Sequence, residues 1–237
     1  MSSNFIHNLG TTSESSDLND TLDSIIESGA FTIKYKNHIV YCMTVIGQIE
    51  GHYILPQNTK TTKYEHVIPQ LIMCECSEHI EGVVLLFNTV GGDIEAGLAL
   101  SEMIKGLQKP TVSLILGGGH SIGIPLAVST DKSFIVPSAT IMVHPVRSNG
   151  LVIGVPQTLD YFLKIQERIV NFVSDNSMID KDEFRDMMTK SGELVTDLGT
   201  ILDGKKAVNC GLIDKLGYLR DALDELVTLI ENRKEEI

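Results

Sequence analysis

Residues 82–128 read GVVLLFNTVGGDIEAGLALSEMIKGLQKPTVSLILGGGHSIGIPLAV, and their order decides the fold class. Two short apolar runs, 82–87 and 112–116, have the length and composition of buried strands. Each gives way to glycines, Gly91-Gly92 in one case and Gly117 to Gly119 in the other, and then to a segment of helical character. In the first such segment Ile94, Leu98, Met103 and Leu107 recur at helical spacing, and Pro110 stops it. In the second, 122–128, Pro125 falls in the first turn, where proline is tolerated. Strand, turn and helix repeated at this interval are βαβ units, which require a parallel sheet with right-handed crossovers. The predicted class is α/β.

The flanks extend the pattern. Phe31, Ile33 and Tyr35 alternate with polar residues and 39–46 is a β-branched run, so two strands precede the decisive stretch. Residues 48–63 are polar, contain Pro56 and read as a connection; 64–74 reads as a helix through Val67, Leu71 and Ile72. Downstream, 133–136 and 140–143 are further short apolar runs. Residues 158–173 form an amphipathic helix, with Leu159, Phe162, Leu163, Ile169 and Val170 opposed by Lys164, Glu167 and Arg168. Two more helices fit 181–188 and 219–231. Residues 1–24, rich in Ser, Thr, Asn and Asp, read as a flexible polar arm, leaving 25–237 as a single domain.

Composition removes several classes of function. The chain has 237 residues, 43% hydrophobic and 21% charged, which is ordinary globular material with enough apolar content for a substantial core. Its 31 acidic and 19 basic residues give a net charge of -12, a surface that repels phosphate and excludes nucleic acid as the main partner. Cys74 and Cys76 are separated by one residue, and neither Cys42 nor Cys210 completes a zinc pattern with them, so no metal is expected and the thiols read as reduced. The first twenty residues have neither the basic nor the apolar region of a secretory signal. Residues 111–130 lack Asp, Glu, Lys and Arg, but only nine of the twenty are aliphatic, and glycines and Pro125 interrupt them. That is not a transmembrane segment. A soluble, cytoplasmic protein is expected.

Gly119-His-Ser-Ile-Gly123 matches G-x-S-x-G, which sets a serine on a tight strand-to-helix turn with its hydroxyl exposed and backbone N–H groups close to a developing oxyanion. Serine needs a base, and His144, at the end of the run 140–143, is the only histidine after Ser121. The α/β-hydrolase order of serine, acid and histidine fails here, because Asp131 is the only carboxylate between Ser121 and His144. The Gly91-Gly92 turn explains the site better. If the two strands end side by side, the N–H groups of Gly92 and Ile122 converge on one carbonyl oxygen. His120 adjoins the serine, but neighbouring residues on a turn point apart, so it is not expected to take part in the chemistry.

Phe87-Asn-Thr-Val-Gly-Gly92, Ala96-Gly97, Gly118-Gly-His-Ser-Ile-Gly123, Pro137-Ser-Ala-Thr-Ile-Met-Val-His144 and Ala207-Val-Asn-Cys-Gly-Leu-Ile-Asp214 together resemble the Clp protease proteolytic subunit family. The resemblance runs from about Val83 to Tyr218. Val45-Ile-Gly-Gln-Ile-Glu-Gly-His52 and Thr61-Thr-Lys-Tyr-Glu-His66 resemble its divergent translocation-enhancing branch. The family likeness implies a ClpP/crotonase-type fold of repeated β-β-α units wound as a superhelix, with a protruding helical handle at about 156–190. It implies Ser121 as nucleophile, His144 as base, and the Gly92 and Ile122 amides as oxyanion-hole donors. The third triad member does not transfer cleanly. An ungapped match places Gly199 there, a two-residue gap brings in Asp197, Asp203 is a weaker substitute, and a Ser–His dyad is the remaining option.

The same likeness implies a serine endopeptidase that needs no ATP by itself and no cofactor. It would act on peptides or unfolded proteins inside a homo-oligomer of heptameric rings, stacked in pairs, with an AAA+ unfoldase as an allowed partner. Two rivals remain open at this point. One is a catalytically silent ring scaffold, and the other is an acyl-CoA enzyme of the crotonase class, which shares the fold and tolerates loss of Ser121.

Overall fold

The computed structural model describes residues 29–147, 154–191 and 199–235. It opens with β1 (Ala30–Tyr35) and β2 (His38–Glu50), paired antiparallel. The turn residues Lys36 and Asn37 are both left-handed, at φ 45° and 69°, the twist that a two-residue hairpin requires. The short β3 (Thr61–Lys63) lies parallel to the end of β2 and leads into α1 (Tyr64–Cys76). There follow β4 (Gly82–Gly92), α2 (Ile94–Lys105), β5 (Thr111–Gly119), α3 (Gly123–Val128) and β6 (Lys132–Ile135). Strands β2, β4, β5 and β6 stand side by side in that order, all parallel, and β9 (Lys215–Leu216) adds to β6.

Parallel strands covered on both faces are apolar throughout rather than alternately. In β4, Val83, Val84, Leu85 and Phe87 are all fully buried. One face carries the larger core, where Leu71, Leu100, Ile104 and Leu126 of the helices meet Met43, Leu85, Phe87 and Ile115 of the sheet. The other face is closed by α7 (Leu219–Glu235), whose Ala222, Leu223, Leu226 and Ile230 pack on Val40, Cys42, Val84, Val112 and Leu114. Further along the strands that cover ceases, and Ile46, Val90 and Leu116 are 39%, 64% and 45% exposed.

Strand β7 (Thr140–Val143) leaves the main sheet. It meets β5 at the pair Gly118–Thr140 and then runs antiparallel to β8 (Thr200–Asp203). Between β7 and β8 in sequence lie α4 (Val155–Asp175) and α5 (Lys181–Thr189), and α6 (Gly204–Asn209) follows β8. The second half of α4 is buried through Ile165, Ile169, Val170 and Val173, while Val155, Leu159, Tyr161 and Leu163 of its first half face solvent. Arg168 on α4 forks onto both carboxylate oxygens of Glu95 on α2, at 2.6 and 3.0 Å. Among the described residues no helix is long and apolar enough to cross a membrane.

The α/β class stands as predicted, and the strand-to-helix order of 82–128 is the one found. The strands are longer than their apolar runs, because glycines that read as breaks stay in the ladder: β4 runs on through Gly91 and Gly92, and β5 through Gly117 to Gly119. Likewise β2 continues to Glu50, and β3 falls inside the segment read as a connection. The predicted arm at 1–24 lies outside the described residues.

Candidate active site

The site forms where β4 and β5 end together. Their parallel register runs from Val83–Thr111 to Phe87–Ile115, slips, and resumes at Thr89–Gly119. Asn88 bridges the slip by accepting the Gly118 N–H at 2.9 Å, and Thr89 O accepts the His120 N–H at 3.2 Å. The chain leaves β4 at Gly91 and Gly92, with φ of 90° and 156°. Sterics demand both glycines. A Cβ on Gly92 would lie 2.1 Å from Ile49 O, and one on Gly91 would lie 2.6 Å from the Ser121 Cβ and 3.2 Å from its Oγ. Next, Asp93 caps α2 by accepting the Ala96 N–H at 2.9 Å. The Asp93 N–H itself donates to Ile49 O on β2, so backbone alternation turns the Gly92 N–H towards β5.

At the end of β5, Ser121 takes φ 57°, a left-handed conformation that costs a non-glycine residue about 1–2 kcal/mol. Its N–H donates to Met142 O at 2.9 Å, and its carbonyl accepts from Ile124 to begin α3. The Ile122 side chain is buried against α2 at Gly97, where an added Cβ would lie 2.3 Å from Ile122 Cγ1. Ala96-Gly97 thus lets α2 press on the residue whose amide follows the serine. Ser121 is half-buried at this sharp turn, and its hydroxyl makes no hydrogen bond among the described residues.

His144 follows the last residue of β7. Its Nδ1 lies 2.7 Å from Pro145 O. A carbonyl has no proton to give, so Nδ1 carries the hydrogen and Nε2 keeps its lone pair, the tautomer a general base needs. His120 turns the other way from Ser121, as neighbours on a turn do, and its Nδ1 accepts the Met142 N–H at 3.0 Å. Burial pushes the His120 imidazole below its ordinary value, and the charge of His144 adds to that.

The acid side of the site departs from expectation. Strand register pairs Thr140 with Asp203 and Val143 with Thr200, so one further step sets Gly199 opposite His144. Asp203 is therefore corrected as a candidate. It lies four residues back along the ladder, about 13 Å away at ordinary strand rise, and it caps α6 by accepting the Lys206 N–H at 3.0 Å. Asp197 lies outside the described residues. Gly199 donates to Lys190 O at 2.8 Å and the Thr200 hydroxyl to Met187 O at 2.9 Å, which ties the start of β8 to α5. Sequence reasoning missed the Pro145 carbonyl, a group every residue type carries. It also missed the bond from Met142 to His120, for which the one available signal was a bulky polar ring inside a run of glycines.

Comparison with known proteins gives the family and the fold. The profile of the Clp protease family, described as Clp protease, matches residues 38–219. The translocation-enhancing protein TepA of Halalkalibacterium halodurans is 53% identical over 195 residues, covering 82% of this chain and 76% of that protein. An ATP-dependent Clp protease proteolytic subunit of Streptococcus uberis is 27% identical over 163 residues, 63% of this chain and 76% of its own length. Among solved structures, a ClpP1 mutant from Listeria monocytogenes superposes with a TM-score of 0.61 at 19% identity, covering 77% of this chain and 94% of that one. That likeness shows the ClpP fold.

Proposed function

Since this chain belongs to the Clp protease family, we propose that it is a serine endopeptidase working through Ser121 and His144. His144 Nε2 takes the Ser121 proton, and Oγ attacks the peptide carbonyl carbon. The Gly92 and Ile122 N–H groups hold the resulting oxyanion, worth about 3 kcal/mol of barrier per donor. His144 then gives its proton to the leaving amine. Water, deprotonated in turn by His144, releases the acyl group from Ser121. The observation that carries this reading is the left-handed Ser121 packed against Gly91 at the joint end of β4 and β5.

Asp197 is the proposed third member. Pro145 O shares in holding the tautomer of His144, and Asp197 would stabilise the imidazolium. Substrates would be peptides or unfolded chains, admitted to a chamber formed by heptameric rings stacked in pairs. Uncovered apolar positions support assembly: Ile46, Val90 and Leu116 on one sheet face, and Leu159, Tyr161 and Leu163 on α4. Peptide hydrolysis at such a site needs no ATP, and an AAA+ unfoldase would supply the step that does. The name of the 53%-identical relative extends the proposal to protein translocation as the process served.

A silent ring component is the second reading, favoured by the glycine that register sets opposite His144. The Clp family match speaks against the acyl-CoA alternative. The deciding experiment is labelling with a fluorophosphonate probe followed by peptide mapping. An adduct on Ser121, absent from Ser121→Ala and lost with His144→Ala, is the expected result; folded, assembled protein without any adduct would establish the silent scaffold instead.

A further inference from the structure

Met142, two residues before His144, has both of its backbone groups bonded to the nucleophile turn: its carbonyl accepts from Ser121 at 2.9 Å and its N–H donates to His120 Nδ1 at 3.0 Å. Strand β7 is only four residues long and meets β5 at the single pair Gly118–Thr140. The two Met142 bonds therefore supply much of what fixes the histidine-bearing strand end relative to the serine. The chain turns out of the sheet at Ser121, and an imidazole nitrogen stands where a neighbouring strand would ordinarily offer a carbonyl. The ring is itself held. The His120 backbone N–H donates to Thr89 O, and the ring's Nε2 and Cδ2 lie against Gly118, where an added Cβ would come within 2.7 and 2.9 Å.

We propose that His120 is a positioning residue for the serine chemistry: as a neutral acceptor it anchors Met142, and through Met142 it sets His144 against Ser121. The proposal rests on the serine-peptidase reading. It requires the neutral ring, because an imidazolium carries hydrogen on both nitrogens and cannot accept. Around His120 stand the Met142 N–H and His144 from β7, Thr89 O from β4, Gly118 from β5 and Ser121 beside it; of these His144 is the titratable partner, and its charge favours the neutral form of His120.

His120→Asn and His120→Leu test this on the assembled full chain. An asparagine Oδ1 occupies the place of Nδ1 and still accepts; leucine fills the volume and does not. Hydrogen exchange read by mass spectrometry on the peptide containing Met142 should be faster in His120→Leu and unchanged in His120→Asn. The rate of fluorophosphonate labelling at Ser121 should fall about tenfold in His120→Leu and stay within about threefold in His120→Asn, the difference one net hydrogen bond makes. Acid should also act differently: the wild-type rate steepens to a two-proton dependence once His120 is charged as well as His144, while His120→Asn keeps a one-proton dependence. Equal rates in all three proteins, or an equal loss in both variants, would overturn the proposal. A wild type with a protected Met142 amide but no adduct would overturn it through the peptidase reading, and the exchange data tell the two failures apart.

Discussion

Gly91 stands directly against Ser121, with room for a hydrogen and no more: a Cβ there would lie 2.6 Å from the serine Cβ. The first glycine of the pair thus shapes the nucleophile's seat, and the second lets its backbone pass close to Ile49, where a Cβ would lie 2.1 Å from the Ile49 carbonyl oxygen. Gly91→Ala has no cheap escape, because its φ of 90° is itself hostile to a side chain. We expect a stability loss of more than about 1 kcal/mol and a fall of about 100-fold in fluorophosphonate labelling, the usual effect of an ångström-scale misplacement. Chemical denaturation and labelling rates check the two parts separately.

Ser121 pays conformational strain for its place at the turn, and glycine relieves that strain where alanine does not. Ser121→Gly should be more stable than Ser121→Ala by about 0.5–1 kcal/mol, about 2 °C in melting temperature for a chain of this size. Neither should label. Calorimetry of the two variants reads the difference, and equal melting temperatures would show that the left-handed turn costs nothing.

Asp197→Asn measures what the acid contributes. Where a buried carboxylate alone fixes the base's tautomer, its amide costs about 10⁴ in rate. Here the Pro145 carbonyl lies 2.7 Å from Nδ1 and shares in holding its hydrogen, so the loss should fall short of that size. The expected loss in labelling is about 10- to 100-fold. A loss of the full size would show that the carbonyl does not hold the ring in solution.

Glu81 makes acid sensitivity predictable. Burial pushes its carboxyl up, but hydrogen bonds from Lys234, the Ile39 amide and His38 outweigh that and hold it down at about 2, from an ordinary 4.5. A carboxylate whose folded value is depressed adds stability above its unfolded value and loses it as pH falls through the folded one. The window is therefore from about 4.5 down to about 2. Glu81→Gln should be less stable at neutral pH and show a flatter stability curve across that window, read by circular dichroism.

Legibility in the sequence followed how each residue announces its role. Thr140–Val143 was readable to the residue, because four apolar or β-branched positions sit between a Pro-Ser turn and a His-Pro stop. The glycines of β4 and β5 were not, since a residue without a side chain carries no periodicity to extend a strand. Strands β8 and β9, four and two residues long, are below the length at which alternation can be told from chance. In the site, Ser121 and His144 were marked by residue type and order. The case against Asp203 needed the strand register, which sets it opposite Thr140. His120 was dismissed because adjacent side chains diverge; they do, and the divergence is what carries the ring to Met142.

The closing of the second sheet face by α7 has a consequence for biosynthesis. Tyr35, at the end of the first strand, donates to Asp224 on the last helix, across 189 positions of chain. Val40, Cys42, Val84 and Val112 emerge from the ribosome long before the residues that will cover them. A nascent chain must carry an open apolar sheet until α7 arrives, and a stop codon a few turns early would leave that sheet open for good, a target for chaperones or for a second chain's edge.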